Sequence, residues 1–222
     1  MTVVRTDFEG EPNIGAFCIA TDSFVLVSSN VSDKSLALLE QVFGLPIVQS
    51  TVATLDAVGI MCAANSHGIV VPYTTTDEEL SGLRRSVDVT VEWIDSKMTA
   101  MGNIIMVNDK GALCHPEFDE RAIRVIADTL DVEVVRGTVA KLPLVGSGSV
   151  ATNRGVVTHP LATDDEMTRI SEVLGVNVEV GTVNRGSPYP RLGVIANSVG
   201  MIAGSETTGV ELAHISQVLG LT

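Results

Sequence analysis

Apolar and polar positions recur along this chain with a long period. Gly15, Gly59, Gly102, Gly146 and Gly193 each head a short apolar run, at intervals of 44, 43, 44 and 47 residues. Nine residues after three of these, Gly68, Gly111 and Gly155 each end a polar turn, in NSHG, NDKG and TNRG. The fifth copy shortens that spacing to NSVG at Gly200, and in the first copy TDSF puts Phe24 at the same offset. A second apolar run follows and meets Pro72, Pro116 and Pro160 in three of the copies. Next comes a residue able to accept the free N–H groups of a first helical turn, then apolar residues at steps of three and four. Asp33 precedes Leu36, Leu39 and Phe43; Asp119 precedes Ile123, Ile126 and Leu130; Thr163 precedes Met167, Ile170 and Leu174; Thr208 precedes Leu212, Ile215 and Leu219. That spacing puts each set on one helical face. The second copy is weaker, with Asp77, Leu80 and Leu83 only. Alternating segments, PIVQSTV, VDVTVEW, VEVVRGTV and VNVEVGTV, then predict a third strand.

The unit therefore reads strand, turn, strand, helix, strand, and the fifth copy lacks its last strand because its helix runs to the end at Thr222. The missing piece lies at the other terminus. Shifted by 131 positions, TVVRTDFEGEPNIG aligns with EVVRGTVAKLPLVG: Val3-Val4-Arg5 falls on Val134-Val135-Arg136, Pro12 on Pro143 and Gly15 on Gly146. A first strand that completes the last unit closes a ring, whereas an open solenoid carries polar capping repeats at both ends. The expectation is one α/β domain over residues 1–222, a closed five-fold pseudosymmetric propeller of units near 15–58, 59–101, 102–145, 146–192 and 193–222, the last closed by 1–14.

Charge narrows the partners. Fourteen Lys and Arg against 27 Asp and Glu give a net charge of −13, so no basic stripe is available to neutralise a phosphate backbone and DNA is not an expected ligand. Eight aromatic residues supply no stacking platform for single-stranded bases. Cys18, Cys62 and Cys114 form no CxxC pair and one must stay unpaired, which fits a reducing compartment. With no basic-then-apolar leader at the N-terminus and no apolar stretch near 18 residues, a cytoplasmic location without membrane association is expected.

Several strings imitate catalytic signatures. GSGSVA at 146–151 matches a dinucleotide fingerprint, but TNRGVVTHP follows it where a helix is required. Cys18 and Cys62 both lie three residues after a unit glycine, where other copies carry Ile, Ser or Ala, the pattern of a small core position. His115-Pro116 and His159-Pro160 recur with the unit and read as turn residues; His67 beside a glycine turn retains a candidate role at a rim, and no set of three or four histidines converges on a metal. Neither a cofactor nor a catalytic group is expected.

GTVNRGS (181–187), NSHGIVVPYTTTDEEL (65–80), MGN (101–103) and ALCHPEFD (112–119) resemble the translation initiation factor 6 family in its archaeal form, over essentially the whole chain. The resemblance implies the pentein fold, in agreement with the closure read from the 131-residue shift. It also implies a non-enzymatic monomer that binds the large ribosomal subunit at its joining face, on ribosomal protein L14 with the sarcin–ricin loop of the rRNA nearby, and keeps the small subunit away. Asn103 matches the family's interface asparagine; Asn184 and Arg185, in VNRG before the SPYP turn, join it and His67 as candidate partner-binding residues. Many family members carry Arg where this chain has Ile60, so a charged contact there is not carried over. The alternative from another class is a guanidine-modifying hydrolase or amidinotransferase, which the same fold hosts and which works through a channel cysteine.

Overall fold

The computed structural model describes residues 2–222. Fifteen strands form five three-stranded sheets. In each, two strands make an antiparallel hairpin and a third adds in parallel to the second, in four of the sheets after an intervening helix. The first sheet holds β2 (Cys18–Ala20), β3 (Val25–Ser28) and β4 (Ile47–Ser50), with α1 (Asp33–Phe43) between β3 and β4. The second holds β5 (Ala63–Ala64), β6 (Gly68–Pro72) and β7 (Thr90–Ile94), with α3 (Asp77–Ser86). The third holds β8 (Ile105–Val107), β9 (Gly111–Cys114) and β10 (Glu133–Arg136), with α5 (Glu120–Leu130). The fourth holds β11 (Ser149–Ala151), β12 (Gly155–Thr158) and β13 (Asn177–Val180), with α6 (Asp164–Leu174).

The fifth sheet takes its third strand from the N-terminus. Here β14 (Val194–Ala196) and β15 (Gly200–Gly204) precede α8 (Gly209–Val218), and β1 (Thr2–Thr6) pairs in parallel with β15, Val3 opposite Met201. One-turn helices α2 (Val58–Met61), α4 (Met101–Ile104) and α7 (Pro190–Gly193), and a 3₁₀ turn at Ile14–Ala16, lead into the first strands at the inner edge.

Each helix starts where its cap chemistry dictates. Asp119, Thr163 and Thr208 are the N-caps of α5, α6 and α8, accepting from Ala122, Glu166 and Glu211 N–H. In α1 and α3 the cap stands one residue earlier than Asp33 and Asp77: the hydroxyls of Ser32 and Thr76 accept from Ser35 and Glu79 N–H, and the aspartates begin the first turn. The third strands β4, β10 and β13 also stop before the Thr-Val pairs that their sequence pattern includes. Val52, Val139 and Val183 leave the sheets for tight turns, bridging to Leu55, Leu142 and Ser187.

There is no central core. Five apolar clusters lie in the seams, each helix packing between its own sheet and the sheet of the preceding unit. Leu80 and Leu83 of α3 meet Ile19 and Leu26 of the first sheet; Ile126 and Leu130 of α5 meet Ala63 and Val70 of the second; Ile170 and Leu174 of α6 meet Met106 and Leu113 of the third. Ile215 and Val218 of α8 meet Val150 and Val157 of the fourth, and Leu39, Val42 and Phe43 of α1 meet Ile195 and Ile202 of the fifth. A unit on its own would leave both faces of its sheet half-covered, so the repeats stabilise one another, as in other repeat architectures.

The recurring glycines mark close approach across these seams. A Cβ on Gly68, Gly111 or Gly155 would strike the carbonyl of Thr129, Val173 or Val218 on the next helix. Phe24 stands at that offset in the first unit and packs in the same seam as Leu80 and Leu83 of α3. At the axis, a Cβ on Gly59, Gly102 or Gly146 would collide with the carbonyl oxygen of Gly15, Gly59 or Gly102, the same position one unit back. The series ends on Arg191, whose carbonyl oxygen abuts Gly15. Arg191, not Gly193, is thus the fifth axial residue. It follows Gly146 by 45 residues and precedes Gly200 by nine, so the fifth copy is not shortened. Spacing alone favoured the nearest glycine; the packing shows a unit that dispenses with one.

Candidate functional site

The strand directions divide the ring into two ends. The one-turn helices, the helix N-termini and the tight turns lie at one end, the glycine end; the β-hairpin turns and helix C-termini lie at the other, the hairpin end. Each end is built differently.

At the hairpin end the polar turns tie the units together. Asn65 Oδ1 accepts from His67 and Gly68 N–H, shaping its own turn, while Nδ2 donates to the carbonyls of Asn108 and Leu130 in the next unit. Asn108 repeats this: Oδ1 accepts from Lys110 N–H at 2.9 Å and Gly111 N–H at 3.1 Å, and Nδ2 donates to Thr152 O at 3.1 Å and Leu174 O at 2.9 Å. Asn197 does the same with Val199, Gly200 and Thr21 O. Thr21 and Thr152 hold the equivalent turns with Oγ1 but cannot reach across. Outside them, Asn153 donates to Asp22 and Asp109, and Ser198 donates to Asp22. His67 is exposed here.

At the glycine end the glutamates at the third position of three helices serve two units at once. Glu211 closes the capping box with Thr208 and also accepts from Thr182 Oγ1 and Gly186 N–H, both at 2.8 Å. Glu79 does this for Thr51 and Thr54, and Glu166 for Thr138, Ala140 and Lys141. Burial alone would raise these carboxyl pKa values, but the converging donors outweigh it and lower all three, that of Glu211 to about 2. The threonine after each third strand and the glutamate about 28 residues on form this device; the pairing is repeated in the sequence, yet only the docking of turn on neighbouring helix gives it meaning.

Of the four candidate contact residues, the structure brings Asn103, Asn184 and Arg185 to the glycine end and sets His67 at the hairpin end. Asn103 lies in α4, its carbonyl accepting from Gly146 and Ser147 N–H at 2.9 and 3.2 Å. Its half-buried side chain is unspent. The other eight asparagines all hydrogen-bond through their amides, and among the described residues Asn103 alone does not. Asn184 is committed inward. It adopts φ 47°, a left-handed conformation, and its amide joins Pro12 O and Thr207 Oγ1. Arg185 follows at φ 62° with an exposed guanidinium that has no acid partner among the described residues, its backbone pinned to Glu211. Exposed apolar side chains at this end include Leu55, Tyr73, Leu142, Leu144, Leu161 (74% exposed) and Val210 (82%).

The catalytic imitations become structural parts. Residues 146–148 form a turn that enters β11, with no helix behind it. Cys18, Cys62 and Cys114 are fully buried free thiols, and burial pushes all three pKa values up, that of Cys114 to about 12. His115 and His159 brace their turns by accepting from Glu117 and Leu161 N–H through Nδ1. Burial lowers the pKa of His159, with Glu166 opposing. Among the described residues no group of three or more His, Cys, Asp or Glu could hold a metal, and no helix is long and apolar enough to cross a membrane.

Comparison with known proteins supplies what geometry cannot. The model of the eIF-6 family matches residues 3–218. The chain belongs to this family. Translation initiation factor 6 of Pyrococcus abyssi is 37% identical over 226 residues, covering all of both chains. Eukaryotic translation initiation factor 6 of Encephalitozoon cuniculi is 38% identical over 98% of this chain and 91% of its own. Among solved structures, a dimethylarginine dimethylaminohydrolase matches with a TM-score of 0.47 and 15% identity over 96% of this chain and 88% of that one. In this chain four of the five units carry an axial glycine and the fifth carries Arg191.

Proposed function

We propose that this protein is a translation initiation factor that binds the large ribosomal subunit at its subunit-joining face and, by its bulk, prevents the small subunit from docking. Family membership and the names of the relatives support a role in translation initiation. The observation that carries the choice of surface is the unspent amide of Asn103, on a helix clamped across a seam and surrounded at the same end by Arg185 and exposed apolar side chains. Polar groups already positioned and left unpaired cost little to reorganise on binding, which favours specific recognition.

No bond is made or broken in this reading, and the protein acts as a monomeric cytoplasmic spacer without a cofactor. At a net charge of −13 it repels rRNA, so a basic ribosomal protein such as L14 is the favoured contact, with the sarcin–ricin loop at the margin of the footprint. Arg185 serves as a rim contact and Asn184 as the residue that sets its turn. Co-sedimentation of the protein with purified large subunits, followed by addition of small subunits, tests the reading. Asn103→Asp and Arg185→Glu should weaken pelleting by about tenfold or more, in line with one lost interfacial interaction, and weaken it less for rim Arg185 than for Asn103. His67→Ala, at the opposite end, should leave it unchanged. Joining of small subunits at full occupancy of the factor would overturn the proposal.

A further inference from the structure

The outer edge of the second sheet is left open where it meets the helix of the next unit. β7 is the last strand of that sheet. Thr90 N–H donates inward to His67 O and Ile94 O accepts from Tyr73 N–H, so the alternate residues Val91 and Trp93 turn their backbone groups outward. Arg84 covers the first half of this edge, donating through Nε to Val91 O and pairing with Glu92, each at 3.0 Å. Beside Trp93 no side chain does so among the described residues. There a groove of ≈ 310 Å³ separates β7 from α5. Its apolar lining is Trp93, 43% exposed, with Ala122 and Val125. Its polar lining is largely unmatched. Thr129 is 3% exposed, its methyl group toward Gly68, and its hydroxyl has no partner among the described residues. That hydroxyl is not sealed in, so it opens on the groove. Asp128 has neither donor nor ion pair among the described residues, although Arg124 stands one turn back on α5. Asp95 meets only the exposed Arg121, at 3.8 Å.

We infer that this groove docks an extended, basic segment of a partner protein, laid along the β7 edge with one Arg or Lys side chain reaching Asp128. Glu92, Asp95 and Asp128 against Arg121 alone give the lining a surplus of negative charge, which selects a cation and repels nucleic acid. The aliphatic stem of such a side chain covers the apolar lining while its charged head donates to the Asp128 carboxylate and the Thr129 hydroxyl. The outward backbone of Trp93 pairs with the segment as a sheet edge does in strand addition, which also removes an uncovered edge from solvent. Ligand sites run from about 300 to 1,000 Å³, so this groove admits a side chain with its backbone and no folded element. This inference does not depend on the ribosomal reading.

Trp93 is the only tryptophan, so its fluorescence reports on the groove directly. The full chain is titrated with a short peptide in which Arg alternates with Thr and Val, and with the same peptide carrying Glu in place of Arg. The Arg peptide should shift the emission with a saturable curve; the Glu peptide should leave it unmoved. Asp128→Asn should weaken binding of the Arg peptide by about tenfold, and Thr129→Val, which keeps the shape of the side chain, by about threefold. Glu40→Gln removes the same charge from α1, away from the groove, and should leave binding unchanged. Equal weakening by Asp128→Asn and Glu40→Gln would reduce the effect to net charge and overturn the site. An emission unmoved by the Arg peptide, or equal binding of the Glu peptide, would overturn it as well.

Discussion

Asn108 offers the sharpest test of how this ring is held shut. It is 4% exposed, and its amide makes four hydrogen bonds, two within its own turn and two across the seam to the carbonyls of Thr152 and Leu174. At a net worth of about 1 kcal/mol for each such bond, Asn108→Ala should cost about 4 kcal/mol, because the carbonyls left behind are buried and only partly reachable by water. The ring contains its own control. Thr21 and Thr152 occupy the equivalent place, keep the turn bonds with Oγ1 and forgo the seam bonds. Asn108→Thr should therefore lose about half as much, about 2 kcal/mol. Equilibrium urea unfolding followed by circular dichroism measures both. If Asn108→Ala fell within 1 kcal/mol of wild type, or Asn108→Thr were as damaging as Asn108→Ala, the division of labour between turn and seam would be wrong.

The glutamate clamps give the stability an acid limb. The folded pKa of Glu211, about 2, lies below its ordinary value of 4.5, so its stabilisation is complete above that value and fades as pH falls toward 2. Glu79 and Glu166 act in the same direction. Glu211→Gln should flatten the fall in melting temperature across that window, and an unchanged slope would remove Glu211 from the account. Gly59→Ala drives a methyl group into the Gly15 carbonyl and should cost about 2–3 kcal/mol by overpacking, whereas Gly82→Ala, with open space around it in α3, should stabilise by about 0.5–1 kcal/mol; chemical denaturation of the pair separates close approach from helix propensity. The thiols of Cys18, Cys62 and Cys114, buried and raised in pKa, should resist Ellman's reagent at neutral pH until the protein unfolds; rapid labelling of one in the native protein would favour the guanidine-modifying enzyme reading instead.

The repeat, its element order and the closing of the ring by Val3-Val4-Arg5 were legible in the chain, because hydrophobic periodicity and cap residues are local and a closed repeat must borrow its missing strand from the other terminus. The buried thiols were legible too, since a position that accepts Cys, Ser, Ile or a small residue in different copies is a packing position. What tertiary structure decided was everything that happens between units. Sequence spacing chose Gly193 as the fifth axial residue, but which α-carbon meets a neighbour's carbonyl depends on how units stack, and there Arg191 takes the place of glycine. The sequence set Asn103 and Asn184 together as candidate contacts, apart from the turn asparagines of NSHG and NDKG; the packing instead groups Asn184 with Asn65 and Asn108, whose amides are consumed inside the ring, and leaves Asn103, whose amide is not. Hydrogen-bond capacity belongs to a residue, but whether it is spent depends on partners that lie 43 to 172 positions away in the chain.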